Sequence, residues 1–331
     1  MKAAQRHPTA ASPLPLCVFR LFCILAAMVA GLPSGAVVWP VNWIAHPCAE
    51  GSEQIWFCRS FSGEGRTVAG QIEMAVGGGA VLYVNGYNVT ADVPIPVSGV
   101  WRPLAAGEEA TVVAARYDVT RYLRPDTNVV AVWCAPEARL SLVFSGLRVT
   151  HGGRRAEPFV HTTDATWLCR TCGSRISPDG RERVDGRETQ EELRTASLEV
   201  IKWLNAREIA PILERGKIME VVPLRSAVRV GHVDDCCLTE VAAGRLTYSC
   251  GRGFRGRLRV TLRGMRRGDL LDIGGMGYVC SGESDEQAIM RFTEYVGDSV
   301  IVSGGPDLTP DNVQSVEAIS LEEYFNSSWM Y

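Results

Sequence analysis

The chain has 331 residues, room for two ordinary domains, and a globular composition of 46% hydrophobic and 21% charged residues. Its net charge of −3 excludes the basic field that nucleic-acid binding needs. The 33 glycines and 17 prolines predict frequent turns, as β domains require.

The N-terminal stretch, 1–36, reads as a secretory leader. Lys2, Arg6 and Arg20 supply positive charge, Leu21 to Ala30 form an apolar run, and Ser34-Gly35-Ala36 is a small-x-small cleavage site. The run is shorter than the roughly 20 residues a spanning helix needs. An uncleaved anchor is the alternative, while Leu21-Phe22 before Cys23 does not suit a lipoprotein signal. The expectation is an exported protein with no membrane association beyond this leader. Of the 11 cysteines, Cys17 and Cys23 leave with it. Cys48, Cys58, Cys134, Cys169, Cys172, Cys236, Cys237, Cys250 and Cys280 remain, an odd number, so at least one is unpaired or bonds another chain.

From Val37 to about Thr150, short alternating runs are broken by glycine and proline. Gln54 to Cys58, Gln71 to Val76, Val81 to Val84, Ala110 to Ala115, Asn128 to Trp133 and Leu140 to Phe144 read as the strands of a β-sandwich. Asn85-Gly86 is a hairpin turn signal. The pattern weakens from Asp164 to Gly231. Ser177 to Gly186 is polar and turn-rich, and Glu191 to Leu204 has apolar residues at roughly helical spacing. Strands return at Arg245 to Tyr248, Gly256 to Leu262, Leu270 to Ile273 and Ser299 to Val302, broken by Gly251, Gly253, Gly256, Gly264 and Gly268. The predicted class is all-β: two β-sandwich, jelly-roll-like domains at 37–175 and 232–331. An irregular connector over 176–231 adds strands to the first domain and has room for a short helix.

Two groups of motifs resemble a known family. The first runs Trp43-Ile44, Phe57-Cys58-Arg59-Ser60-Phe61, Tyr83-Val84-Asn85-Gly86, Tyr117-Asp118-Val119-Thr120 with Leu123, and Asn128 to Val132. Its order resembles the galactose-binding-like jelly roll at the front of many glycoside hydrolases. Thr163-Asp164-Ala165-Thr166-Trp167 resembles the T-D-x-x-W that follows this jelly roll in bacterial α-L-rhamnosidases. The second group has Gly251 and Gly256, Gly268-Asp269, Tyr278 with Gly282 and Glu286, Arg291-Phe292-Thr293, and Val300-Ile301-Val302-Ser303-Gly304. It is similar to the β domain immediately before the catalytic barrel in those enzymes. The resemblance covers about residues 41 to 326. Every motif also has a structural explanation in turns and bulges, so the motifs identify the fold rather than a site.

In the resembling enzymes, carboxylates on a large helical barrel perform hydrolysis. A dozen helices of about 11–12 residues need at least about 200 residues, whereas Tyr331 lies 27 residues past Gly304. The expectation is therefore a non-catalytic front portion, with no catalytic residues here. Asp234-Asp235, the group Glu283, Asp285 and Glu286, and Glu322-Glu323 are the acidic clusters. Neighbours on a strand point to opposite faces and make a poor catalytic pair. Cys169-Arg170-Thr171-Cys172 is a C-x-x-C for which a disulfide or buried thiols are preferred over zinc or redox chemistry. The five histidines show no metal spacing.

A sugar site needs an aromatic face and a few polar groups. Tyr87, Asn88, Asp92 and Trp101 on the loop after Asn85-Gly86, and Trp133 at a strand end, are the candidates, with core packing the alternative for Trp101 and Trp133. Some rhamnosidase jelly rolls bind rhamnose through calcium; no such ligand set can be matched here, and no cofactor is expected. Where those enzymes continue with a Gly-Trp-rich turn, this chain has Cys134-Ala135-Pro136-Glu137. The resemblance implies an exported bacterial protein, periplasmic or extracellular, that binds rhamnose-containing glycans. The alternatives are a truncated or split rhamnosidase with a separate catalytic partner, and an interaction protein with no affinity for sugar.

Overall fold

The computed structural model describes residues 42–49, 51–62, 65–90, 112–125, 127–150, 152–188, 203–210 and 228–323. Among them the fold is all-β, with two short 3-10 turns and no α-helix. The leader, Asp92 and Trp101 lie outside the described residues.

The first half holds β1 (Trp43–Ala45), β2 (Glu53–Ser62), β3 (Gly65–Gly77), β4 (Ala80–Val84), β5 (Tyr87–Asn88), β6 (Val112–Asp118), β7 (Thr127–Cys134), β8 (Arg139–Thr150), β9 (Ala156–Thr162), β10 (Leu168–Ile176), β11 (Glu182–Asp185), β12 (Leu204–Asn205) and β13 (Arg207–Ile209). One sheet runs β13-β1-β8-β3-β6, with β9 added to β8; the facing sheet carries β10-β2-β7-β4-β5. Strand alternation sends Ile55 and Phe57 of β2, Leu82 of β4 and Val130 and Val132 of β7 into the core between them. They meet Ile72 and Met74 of β3 and Leu142 and Phe144 of β8.

The outer face of the β10-β2-β7-β4 sheet is also covered. Trp56, Tyr83, Trp133 and Cys172 form a second buried cluster there, capped by Trp203 and Phe292. Burial on both faces explains why β4 and β7 read as almost unbroken apolar runs.

The second half holds β14 (Val228–Asp235), β15 (Cys237–Ala242), β16 (Arg245–Leu262), β17 (Leu270–Ile273), β18 (Met276–Val279), β19 (Glu286–Ile289), β20 (Tyr295–Ser303) and β21 (Val313–Glu323). They run β14-β21-β16-β20-β17-β18, with β15 and β19 also on β16, around a core that includes Leu246, Leu258, Val260, Ile273 and Val302. β11 pairs antiparallel with β10 and parallel with β18, with Val184 opposite Tyr278, so one sheet passes through both halves. The segment expected as an irregular connector thus supplies the joining strand.

Two expectations need correction. Arg245 to Leu262 is one long strand: Gly251 and Gly253 sit where its register shifts between Ser249 and Phe254, a bulge rather than an end. The expected helix lies mostly outside the described residues, but Leu204 at its end pairs with Cys169 in β12. Of the two readings preferred for Cys169 and Cys172, the structure takes buried thiols rather than a disulfide. An odd spacing on β10 sends them to the two opposite clusters as free buried thiols, and burial pushes each up to about 12. The one disulfide among the described residues joins Cys236 to Cys250.

Candidate functional site

The motif residues mostly bond one another. Asn85, at φ 53°, donates through Nδ2 to Tyr122 O (2.7 Å) and Asn128 Oδ1 (2.9 Å), and its Oδ1 accepts from Val129 N (2.9 Å). The Asp118 carboxylate accepts from Thr120 N at 2.9 Å, and hydrogen bonds from Thr120 hold it below the usual carboxylate range. Arg59 pairs with Asp164 at 3.0 Å, tying F-x-R-x-F to T-D-x-x-W. Glu286 Oε2 accepts from Tyr278 Oη (3.1 Å), Ser281 N (2.5 Å) and Ser281 Oγ (2.7 Å). Burial, with Glu286 beside it, pushes the Tyr278 phenol up.

The buried carboxylate of Glu182 plays the same part for Arg291-Phe292-Thr293. Its Oε2 accepts from the backbone N–H groups of all three residues at 2.9–3.2 Å and from Thr293 Oγ1 at 2.8 Å. Gln54 Nε2 donates to the other oxygen at 3.2 Å. Glu182 lies on β11, so this clamp fixes a second-half loop against the first half. Nothing in the turn-rich stretch around Glu182 singled it out in the sequence; an isolated acid before a short β run has many uses.

The predicted sugar residues fall in two places. Tyr87 and Asn88 form the short strand of the β4–β5 hairpin, opposite Val84 and Tyr83. Tyr87 is 59% exposed and leans on Tyr122, with ring centroids 5.8 Å apart. Asn88 Oδ1 is taken by Thr90 N (2.9 Å) and Thr90 Oγ1 (3.0 Å) in a local turn. Trp133 lies near the other end of the same strands, opposite Val81 and Trp56, and is 3% exposed. The structure does not bring Trp133 together with the hairpin pair.

Trp133 instead backs a cavity of about 280 Å³ between the two halves. Its ring stacks on Trp56 (4.9 Å, 23°), meets the edge of Phe292 (6.4 Å, 87°), and carries the Arg291 guanidinium 5.1 Å from its centroid. Tyr278, Ser281, Glu283, Ser284, Asp285, Gln287, Asp185 and Glu188 also line it. Asp185 is paired with Arg187 (2.7 Å), Glu188 with Arg170 (2.8 Å) and Gly173 N (2.9 Å), and Asp285 with Arg263 (2.8 Å). The acidic group around Glu283 is therefore not one solvated loop: Glu286 is buried and bonded on its inner side. Among the described residues no group of three or more His, Cys, Asp or Glu side chains could hold a metal ion.

No protein-family model and no curated protein matches the chain. Solved structures do. The α-L-rhamnosidase from Dictyoglumus thermophilum superposes with a TM-score of 0.67 at 16% identity, over 86% of this chain and 36% of that one. The native enzyme from Aspergillus terreus gives 0.67 at 17%, with the same coverages. The Streptomyces avermitilis α-L-rhamnosidase complexed with L-rhamnose gives 0.64 at 17%, over 82% and 29%. Such identities show a common fold. The chain spans about a third of the length of these enzymes.

Proposed function

We propose that this chain is an exported, non-catalytic carbohydrate-binding or accessory protein related to the α-L-rhamnosidases, directed at rhamnose-containing glycans. The observation that supports the reading is the shared fold over more than four-fifths of the chain, matched to about a third of each enzyme. Export follows from the charged, apolar and small-residue order of 1–36.

The state of the cleft carboxylates favours binding over hydrolysis. Glycoside hydrolysis needs two free carboxyl groups about 5–10 Å apart. Here Asp185, Glu188 and Asp285 are held by arginines and Glu286 by four donors, which among the described residues leaves Glu283 as the one cleft carboxylate without a partner. Glycan-array screening followed by calorimetry tests the proposal. Binding of rhamnose-containing glycans at millimolar or tighter affinity is expected. No binding to any saccharide overturns it, and turnover of an aryl rhamnoside by the purified chain replaces it with an enzyme.

A further inference from the structure

We propose that the cleft lined by Trp133, Arg291 and Glu283 is the saccharide site of this chain, and that it takes one neutral sugar ring through hydrogen bonds to Arg291 and Glu283. The inference rests on the carbohydrate reading above and adds the place, the ligand charge and the contacts.

The first ground is hydrogen-bonding capacity left unused. Among the described residues, Trp133 Nε1 and Arg291 Nε are buried with no partner. A buried N–H left unsatisfied costs about 1–3 kcal/mol, which folded proteins seldom accept without a reason. The Arg291 guanidinium makes no ion pair among the described residues, although Asp185, Glu188, Glu283 and Asp285 share its cavity. Its backbone N–H is clamped by Glu182, and its side chain is held over Trp133. Among the described residues the Glu283 carboxylate and the Ser284 and Gln287 side chains of the same lining likewise have no side-chain partner. A guanidinium donor and a carboxylate acceptor lining one cavity suit vicinal hydroxyls, each of which can donate and accept.

The second ground is charge. Arg187, Arg170 and Arg263 neutralise Asp185, Glu188 and Asp285. Glu283 and Glu286 then face the single cation Arg291, so the lining does not favour an acidic sugar. Size is the third: about 280 Å³ lies at the low end of the roughly 300–1,000 Å³ of ligand pockets, which admits one pyranose ring and little more. Trp133 has Trp56 on one face and Arg291 over its ring, so it is a rigid backing rather than the stacking surface.

The test is titration of the full chain with L-rhamnose, methyl rhamnoside and a uronic acid, read by calorimetry and tryptophan emission. Wild type, Arg291→Ala, Glu283→Ala, Trp133→Phe and Tyr87→Ala are compared. Arg291→Ala and Glu283→Ala should each weaken neutral-sugar binding at least about 10-fold, the range of a lost hydrogen bond to a charged group. Trp133→Phe should remove most of the emission change, Tyr87→Ala should stay within about twofold, and the uronic acid should bind no tighter than rhamnose. If Arg291→Ala unfolds the chain, Glu283→Ala decides, because its carboxylate supports nothing else. Binding that survives Glu283→Ala unchanged, or that is lost in Tyr87→Ala alone, overturns the site while leaving the carbohydrate reading intact. A wild type that binds no saccharide overturns both.

Discussion

The β4–β5 hairpin and the inter-half cleft both carry the aromatic and polar residues from which sugar sites are built, yet their hydrogen bonds end in different places. In the hairpin, Asn85 and Asn88 spend their amide groups on neighbouring backbone and side chains, and Tyr87 leans on Tyr122 in open solvent. In the cleft, Glu286 is saturated, while Arg291, Trp133 and Glu283 keep groups that nothing in the described chain uses. Residue type alone does not distinguish the two regions. The accounting of donors and acceptors does, because a satisfied polar group is already employed in holding the fold.

The largest effect that would sharpen this contrast is at Glu182. Glu182→Ala orphans three backbone N–H groups and a buried hydroxyl, and should cost about 3–5 kcal/mol in urea unfolding. Saccharide binding should fall with it, since the clamp positions Arg291. Cys236→Ser with Cys250→Ser, opening a loop of 14 residues, should cost about 3 kcal/mol and leave binding unchanged. Asn85→Ala loses three hydrogen bonds and places alanine at a positive φ, for about 2–3 kcal/mol; Asn85→Gly should recover about 1 kcal/mol of that.

A pH series separates the cleft rim from its interior. Hydrogen bonds from Arg187 depress the folded-state pKa of Asp185 below its unfolded value. Its contribution to stability is therefore present above the ordinary aspartate pKa and is lost as pH falls through the lowered one. Asp185→Asn should remove that part of the acid-side slope in thermal melts between about pH 5 and pH 2. The smallest effect belongs to the hairpin: Tyr87→Ala should change stability by less than about 0.5 kcal/mol, as most exposed substitutions do.

The fold was legible because its signals are local. Alternating runs became β2, β3, β8 and β17, and Asn85-Gly86 marked a turn whose φ values are positive at both residues. The double burial of β4 and β7 was already written in their unbroken apolar runs, but what covers them was not: Phe292 arrives from a loop more than 150 residues away in sequence from β7. The same distance hid the cleft. Trp133 was singled out for its ring, but Arg291 was visible only as part of a motif, and Glu283 only as one of three neighbouring acids. Their approach depends on β11 joining β10 to β18, a parallel pairing between segments with no shared local pattern. Gly251 and Gly253 misled for a related reason, since a bulge and a strand end use the same residue.

The most direct measurement is a crystal structure of the chain soaked with L-rhamnose or a rhamnose-containing oligosaccharide. The account predicts one ring in the cleft, with hydroxyl oxygens within hydrogen-bond distance of Arg291 and Glu283. A ring seated on Tyr87 and Tyr122, with the cleft empty, would contradict it.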